Sequence, residues 1–152
     1  MSANAIQPPH GSYLMPRLEH ATVSDAMHPG ILSCEADATL TDVARLMTTH
    51  HVHCVAVIGV AGEPPGERLV WAMISDLDLL RGGIREGGNQ PAGKLAVQPV
   101  ISVEPTTPLA EAGELMLAHG VTHVIVIDPK LERPIGILST LDVAGVLAWG
   151  EA

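Results

Sequence analysis

The stretch Gly136-Ile137-Leu138-Ser139-Thr140-Leu141-Asp142 has a copy at Ala72-Met73-Ile74-Ser75-Asp76-Leu77-Asp78, and this pair of stretches decides the fold. In each copy an apolar run ends at a serine, and an aspartate follows three residues later. The apolar run predicts a buried strand, and Ser-x-x-Asp is typical of the first turn of a helix with serine at the N-cap. We therefore predict two strand-to-helix corners, each gathering free backbone N–H groups, a hydroxyl and a carboxylate where a helix N-terminus attracts anions.

These corners belong to a longer internal repeat. A shift of 69 residues superposes ten identical residues of the segments 33–58 and 102–127. Beyond them the shift falls to 64, because residues 60–68 give the first copy a longer turn rich in proline and glycine. Insertions cost least in such turns. The duplication predicts two copies of one small unit.

Each copy is predicted to fold as βαββα. A short leading segment precedes an amphipathic helix whose apolar residues recur at helical spacing. Capping at the start of these helices is expected from Thr39 with Asp42 and from Thr107 before Pro108. The other predicted elements are the strands Cys54–Ile58 and Val124–Ile127, the return strands Leu69–Ile74 and Pro134–Leu138, and the closing helices Asp76 to Arg81 and Leu141–Trp149.

The chain divides into an N-terminal arm (residues 1–20), a first repeat (21–83), a linker (84–90) and a second repeat (91–152). Neither repeat has enough surface to bury its sheet alone. We therefore expect an α/β (α+β) fold in which two units pack face to face with approximate two-fold symmetry, leaving a cleft lined by both corners. Tyr13, Leu14, Met15 and Leu18 are apolar enough to hold the arm against the body or a second subunit, and a loose arm is the alternative.

Composition excludes several classes of protein. Hydrophobic residues make up 47% of the 152 residues and charged residues 16%, which indicates a folded globular chain. A formal charge of −9 argues against nucleic-acid binding, which needs a basic face. No apolar run reaches the length of a membrane span, and residues 1–20 show no signal peptide. We expect a cytoplasmic protein in which Cys34 and Cys54 are reduced, buried thiols.

A duplicated βαββα unit that ends in Gly-x-[Val/Ile]-[Ser/Thr]-x-x-Asp resembles the CBS domain, named after cystathionine β-synthase, in its tandem form. The resemblance covers residues 20–149. Members of that family are regulatory modules that commonly bind AMP, ADP, ATP, NAD or S-adenosylmethionine, and tandem pairs often form disc-shaped dimers. The resemblance implies a homodimeric sensor that binds an adenosine-containing ligand, requires no cofactor and acts on an unidentified regulated protein.

The same resemblance assigns roles to residues of the second repeat. Asp142 is expected to bind the ribose 2′- and 3′-hydroxyls, and Ser139 and Thr140 to approach the phosphate or ribose. His123 falls where many members have a basic residue before the central strand. The leading segments are expected to line the adenine; their residues are Ile31, Leu32, Ser33, Val100, Ile101 and Ser102.

In the first repeat, Ser75 and Asp78 occupy the equivalent places. Ala72 replaces the expected glycine there, and we interpret this as hindering close approach of a ligand. Arg81 is placed on the closing helix for phosphate, whereas its counterpart in the second repeat is Gly145. The two corners are thus expected to differ, one binding nucleotide and the other nothing.

Two further interpretations stay open. Ser-x-x-Asp is also a plain capping box, which stabilises a helix by about 1 kcal/mol without any ligand. A metal site is a less favoured hypothesis, because a run that spans a helix end and a strand start points its side chains in different directions. The candidate metal ligands are His50, His51, His53 and Cys54.

No catalytic motif is present: the chain lacks a Gly-x-Ser-x-Gly elbow, a phosphate loop with Gly-Lys, and His-Glu-x-x-His. We therefore expect no enzyme. The two main hypotheses are a sensor of adenine nucleotides and a ligand-free module whose repeats form a dimer or bind another protein.

Overall fold

The structure is a computed structural model that describes residues 14–58, 70–96 and 100–151. In chain order its elements are α1 (Val23–Ala26), β1 (His28–Pro29), β2 (Ser33–Glu35), α2 (Leu40–His50), β3 (Cys54–Ile58), β4 (Val70–Ser75), α3 (Asp76–Glu86), α4 (Ala92–Leu95), β5 (Ser102–Val103), α5 (Leu109–His119), β6 (His123–Asp128), β7 (Arg133–Ser139) and α6 (Thr140–Trp149). The mixed helix-and-strand class predicted from the sequence is confirmed.

The elements form two compact units, the first-repeat unit (Gly30–Ile101) and the second-repeat unit (Met1–Pro29 with Ser102–Ala152). In the first-repeat unit the strands follow the order β2-β3-β4, with β3 parallel to β2 and antiparallel to β4. In the second-repeat unit the order is β1-β7-β6-β5, with β6 parallel to β5 and antiparallel to β7. The same βαβ and hairpin arrangement is therefore built twice.

Buried β-branched and aliphatic residues hold each unit together. In the first-repeat unit, Leu40, Val43 and Met47 project from one face of α2 onto Val55 and Val57 of β3. Helix α5 buries Leu109, Ala112 and Met116 at the equivalent positions of the second-repeat unit. The i, i+3, i+7 spacing read from the sequence thus corresponds to the buried helix faces.

The segment that precedes each sequence repeat caps a helix of the other repeat, within one and the same compact unit. The Leu109 N–H at the start of α5 donates to the carbonyl of Ala21 across 2.9 Å, and the Leu40 N–H at the start of α2 donates to the carbonyl of Gln90 across 2.9 Å. Ala21 and Gln90 stand 69 residues apart, the period of the repeat. These carbonyls satisfy helix N–H groups that would otherwise lack an acceptor. Residues 21–29 therefore fold with the second repeat, although they precede the first.

The described part of the arm is docked on the second-repeat unit. Met15 is buried, and its carbonyl accepts a hydrogen bond from the Glu151 N–H across 2.9 Å. Leu14 is exposed, and Tyr13 lies outside the described residues. The predicted longer turn over residues 60–68 also lies outside them.

Two details of the predicted elements are wrong. Helix α3 runs to Glu86, five residues beyond the predicted end at Arg81, because Gly82 lets the helix pack closely on Leu95 and Leu40. Helix α5 has Pro108 at its N-cap with no side-chain cap, so Thr107 does not cap it. The Thr107 carbonyl instead accepts the Val23 N–H across 2.9 Å. By contrast, Thr39 and Asp42 form the expected capping box on α2.

No helix in the three described ranges is long and apolar enough to cross a membrane.

Candidate functional site

The corner of the second-repeat unit is a complete capping box at the start of α6. Asp142 Oδ2 accepts the Ser139 N–H across 2.8 Å, and Ser139 Oγ accepts the Asp142 N–H across 3.2 Å. The strand β7 carries Ser139 to this point, and the turn of α6 brings Asp142 back over it. The Asp142 carboxylate is therefore held in a single orientation at the end of the sheet.

The corner of the first-repeat unit repeats this geometry at the start of α3. Asp78 Oδ2 accepts the Ser75 N–H and the Ser75 hydroxyl, both across 2.9 Å, and Ser75 Oγ accepts the Asp78 N–H across 3.3 Å. The neighbouring Asp76 binds His53 Nδ1 through Oδ2 at 2.9 Å. In the second repeat the place of Asp76 is taken by Thr140, so the first corner holds one more carboxylate.

We expected free backbone N–H groups at these corners. This expectation is wrong for most of the N–H groups, because they already donate hydrogen bonds within the protein. Besides the two N–H groups of each capping box, the Thr140 N–H donates to the Thr122 carbonyl across 3.0 Å. The Asp76 N–H likewise donates to the His53 carbonyl across 2.9 Å. Because the preceding strand already supplies these acceptors, the corners attract anions less than a bare helix N-terminus would.

The histidine that precedes the first leading segment reaches the second corner. His28 Nδ1 lies 2.8 Å from Asp142 Oδ1. The Asp142 side chain is only 5% exposed, whereas that of His28 is 72% exposed. Strand β1 places the histidine there by pairing with β7, with His28 opposite Ile137. Sequence reasoning missed this residue, since a contact between positions 28 and 142 depends on the pairing of distant strands.

Gly136 is required by strand β1. A Cβ on this residue would lie 2.5 Å from the His28 carbonyl oxygen and 3.2 Å from Met27 Sδ. Its counterpart Ala72 is fully buried in the core of the first-repeat unit. The interpretation that Ala72 hinders a ligand is therefore wrong, because its methyl group faces the core.

The leading segments lie beside the central strands. Ser33 is paired with Ala56 and Ser102 with Ile125, two residues beyond the places where Cys54 and His123 pair with the corner serines Ser75 and Ser139. The Leu32 carbonyl accepts the Ala56 N–H across 3.0 Å. Each unit thus brings its leading segment and its corner to the same end of one sheet. Ile31, Val100 and Ile101 are half-buried and belong to the first-repeat unit.

Three other candidates occupy distinct surroundings. His123 Nδ1 lies 2.9 Å from Thr122 Oγ1 and is paired with Ser139 across the sheet. Thr140 borders an apolar groove of about 430 Å³ that Leu18, Met116 and Val143 also line. Arg81 is exposed on α3, one turn after Asp78. Whether any of them touches a ligand stays a prediction.

The run from His50 to Cys54 does not converge on one point. His50 ends α2, His51 adopts a left-handed conformation (φ 54°) at its C-cap, and His53 binds Asp76. Burial, together with the negative charges of Asp78 and Asp76, raises the pKa of Cys54 to about 12, so its thiol stays protonated at neutral pH and is a poor metal ligand. Among the described residues no group of three or more His, Cys, Asp or Glu side chains is placed to hold a metal ion. These residues are therefore not gathered into a metal site, and a metal at this run stays a less favoured prediction.

A family model described as the CBS domain matches residues 23–84 and 92–148. The chain belongs to the CBS domain family. The CBS domain-containing protein CBSX3, mitochondrial, of Arabidopsis thaliana is 30% identical over an alignment of 138 residues that covers 82% of this chain and 64% of the relative. The chain thus spans less than two thirds of that relative.

Solved CBS domain pairs share the fold. The pair of protein MJ0100, in complex with 5′-methylthioadenosine and S-adenosylmethionine, superposes with a TM-score of 0.72 at 14% identity and covers 84% of this chain and 96% of that one. The CBS domain protein PAE2072 of Pyrobaculum aerophilum, complexed with AMP, gives a TM-score of 0.64 at 27% identity, with 80% and 89% covered. The resemblance to a tandem CBS pair is confirmed.

Proposed function

We propose that this CBS pair is a regulatory module that binds an adenosine-containing ligand at the corner of the second repeat, in a cleft between the repeats. The observation that carries the proposal is the AMP complex of PAE2072, which is 27% identical to this chain. The fixed carboxylate of Asp142 and the hydroxyl of Ser139 supply suitable chemistry for a ribose. AMP, ADP, ATP, NAD and S-adenosylmethionine are the candidate ligands.

The second corner suits a nucleotide better than the first. Ribose hydroxyls donate to a carboxylate in charge-assisted hydrogen bonds, and Asp142 provides that acceptor. Thr140 and His123 add polar groups without adding negative charge. The first corner carries both Asp76 and Asp78, and two carboxylates disfavour an incoming phosphate even though Asp76 binds His53 and Arg81 lies nearby. We therefore place the nucleotide at Asp142.

Signalling by such a module requires that the ligand favour one conformation over another. A ligand that touches residues of both repeats would change how firmly they hold each other or a regulated protein. The ligand would then change the affinity of the module for that partner, and the partner would change the affinity for the ligand by the same factor.

Thermal unfolding with each of the five ligands tests the proposal. A ligand present at a hundred times its dissociation constant adds about 2.7 kcal/mol to the free energy of unfolding. For a chain of this size the midpoint should rise by about 5–10 °C. Inorganic phosphate and 2′-deoxy-AMP are the controls, since the first lacks the nucleoside and the second lacks one ribose hydroxyl. If millimolar concentrations of all five ligands leave the midpoint unchanged, the proposal fails.

The second candidate, a module that only dimerises, is favoured by an exposed apolar stripe on α3. Leu77, Leu80 and Ile84 follow helical spacing and are 52%, 56% and 76% exposed. The same helix begins with acidic Asp76 and Asp78 and continues with basic Arg81 and Arg85. An antiparallel copy of α3 would therefore place opposite charges together around the apolar stripe, as a two-fold dimer interface requires. We propose a second copy of this chain as the occupant.

We expect Leu80→Glu to convert the dimer to a monomer, because a charge buried in an apolar interface lacks a partner. Leu131→Glu is the matched control, since Leu131 is 54% exposed but lies in the turn between β6 and β7. Sedimentation velocity at micromolar protein gives the molar mass. The dimer proposal is abandoned if the wild type is a monomer or if both variants stay dimeric.

A further inference from the structure

Both oxygens of the Asp142 carboxylate are already engaged within the second-repeat unit. Oδ2 accepts the Ser139 N–H across 2.8 Å, and His28 Nδ1 donates to Oδ1 across 2.8 Å. A carboxylate has about four lone-pair positions, so its chemistry alone would admit further donors. Access is the limit, because the side chain is only 5% exposed. His28 therefore occupies Oδ1, the oxygen of this carboxylate that the capping box leaves for a ribose hydroxyl.

The two protein partners of Asp142 differ in how easily they leave. The Ser139 N–H belongs to the capping box that begins α6, and breaking it would unravel the helix start. His28 is 72% exposed and stands on a strand of two residues. Ion pairs with one such exposed partner contribute little to stability. Rotation of the imidazole about its side-chain bonds therefore frees Oδ1 without disturbing the fold.

The first repeat lacks an equivalent side chain. The position 69 residues after His28 is Val97, which lies outside the described residues and whose side chain has no hydrogen-bonding group. Asp78 has the same capping box as Asp142 and binds Ser75 through Oδ2. The histidine is thus a feature of the corner to which the nucleotide is assigned.

We propose that His28 is a displaceable cover on Asp142, and that a ribose-bearing ligand binds when the His28 ring leaves Oδ1. This inference rests on the proposed function, because it regulates the same site. His28 competes with the ribose for one acceptor, so it lowers the affinity for the ligand. Ligand binding also frees the His28 side chain from Asp142. Because β1, which carries His28, directly follows α1 and the docked arm in the chain, this change signals ligand binding to that segment.

The test compares His28→Ala with His28→Asn by titration calorimetry, with AMP and S-adenosylmethionine as probes. Removing the competitor should tighten binding by about 1.5- to 5-fold, the range that corresponds to losing one exposed ion pair. Asparagine keeps an N–H donor near the position of Nδ1, so His28→Asn should bind with an affinity close to that of the wild type. Both variants change an exposed side chain, and their unfolding midpoints check that they fold.

A second measurement uses the wild type alone. Saturation with AMP should move the NMR signals of the His28 ring, assigned from their loss in His28→Ala. The proposal that His28 covers Asp142 is overturned if the ring signals do not move. It is also overturned if His28→Ala binds AMP no more tightly than the wild type. In both cases the proposed function stands. If neither the wild type nor His28→Ala binds either probe, the proposed function and the cover are both overturned. Binding by His28→Ala alone supports both.

Discussion

Asp142→Ala is expected to raise the dissociation constant for AMP by at least about tenfold. The variant removes charge-assisted hydrogen bonds to the ribose, which contribute about 1.5–3 kcal/mol each, and 1.4 kcal/mol corresponds to a factor of ten. It also removes the acceptor of the Ser139 N–H, which should lower the free energy of unfolding by about 1 kcal/mol. Calorimetric titration measures the first effect, and urea unfolding without ligand measures the second.

Asp78→Ala is the matched control for this prediction. Asp78 occupies the third position of α3 in the same capping box, so its loss should destabilise the chain by a similar amount. Because we assign the nucleotide to the second corner, Asp78→Ala should leave the affinity for AMP almost unchanged. Equal losses of affinity in both variants would move the site or divide it between the corners. An unaltered affinity in Asp142→Ala would remove this carboxylate from the site.

Gly136→Ala should be the most damaging conservative change in the second-repeat unit. The added methyl group would lie 2.5 Å from the carbonyl oxygen of His28, and the atom it meets belongs to the backbone of a paired strand. A backbone contact of this kind cannot be relieved by a side-chain rotation, so β1 must move away from β7. Overpacking of this type costs about 1–3 kcal/mol. Urea unfolding should therefore show a lower midpoint with an unchanged slope.

Gly145→Ala controls for the loss of glycine. Gly145 lies inside α6, and a Cβ there would meet no atom within 4 Å. Alanine in a helix interior is favoured over glycine by about 0.8–1.0 kcal/mol, so this variant should be more stable than the wild type. A Gly136→Ala variant as stable as the wild type would contradict the close approach of β1. Such a result would also question the position of His28 beside Asp142.

The sequence predicted best those structural features that depend on residues close together in the chain. The end of β3 at Ile58, the capping box of Thr39 and Asp42 and the start of α3 at Asp76 agree with the structure. Hydrophobic periodicity and capping depend on residues only a few positions apart, which a single chain displays directly. Because these local patterns occur twice in the chain, they could be recognised as the repeated motif of a known family. The residue pairs Ser75–Asp78 and Ser139–Asp142 were found by the same means.

Other features depended on residues far apart in the chain. Packing of Gly82 on Leu95 lets α3 continue past Arg81, and α5 begins without Thr107 because the Ala21 carbonyl arrives from the N-terminal segment. The sequence pattern of one segment does not show which distant segment it will contact.

By itself, the sequence determined the two βαββα units, their buried faces and the serine-aspartate corners, because capping and amphipathic spacing are short-range properties. Only the tertiary structure decided that His28 reaches Asp142 and that Gly136 makes room for the strand carrying it. The physical reason is that strand pairing joins residues more than a hundred positions apart, at a register set by the whole packed sheet.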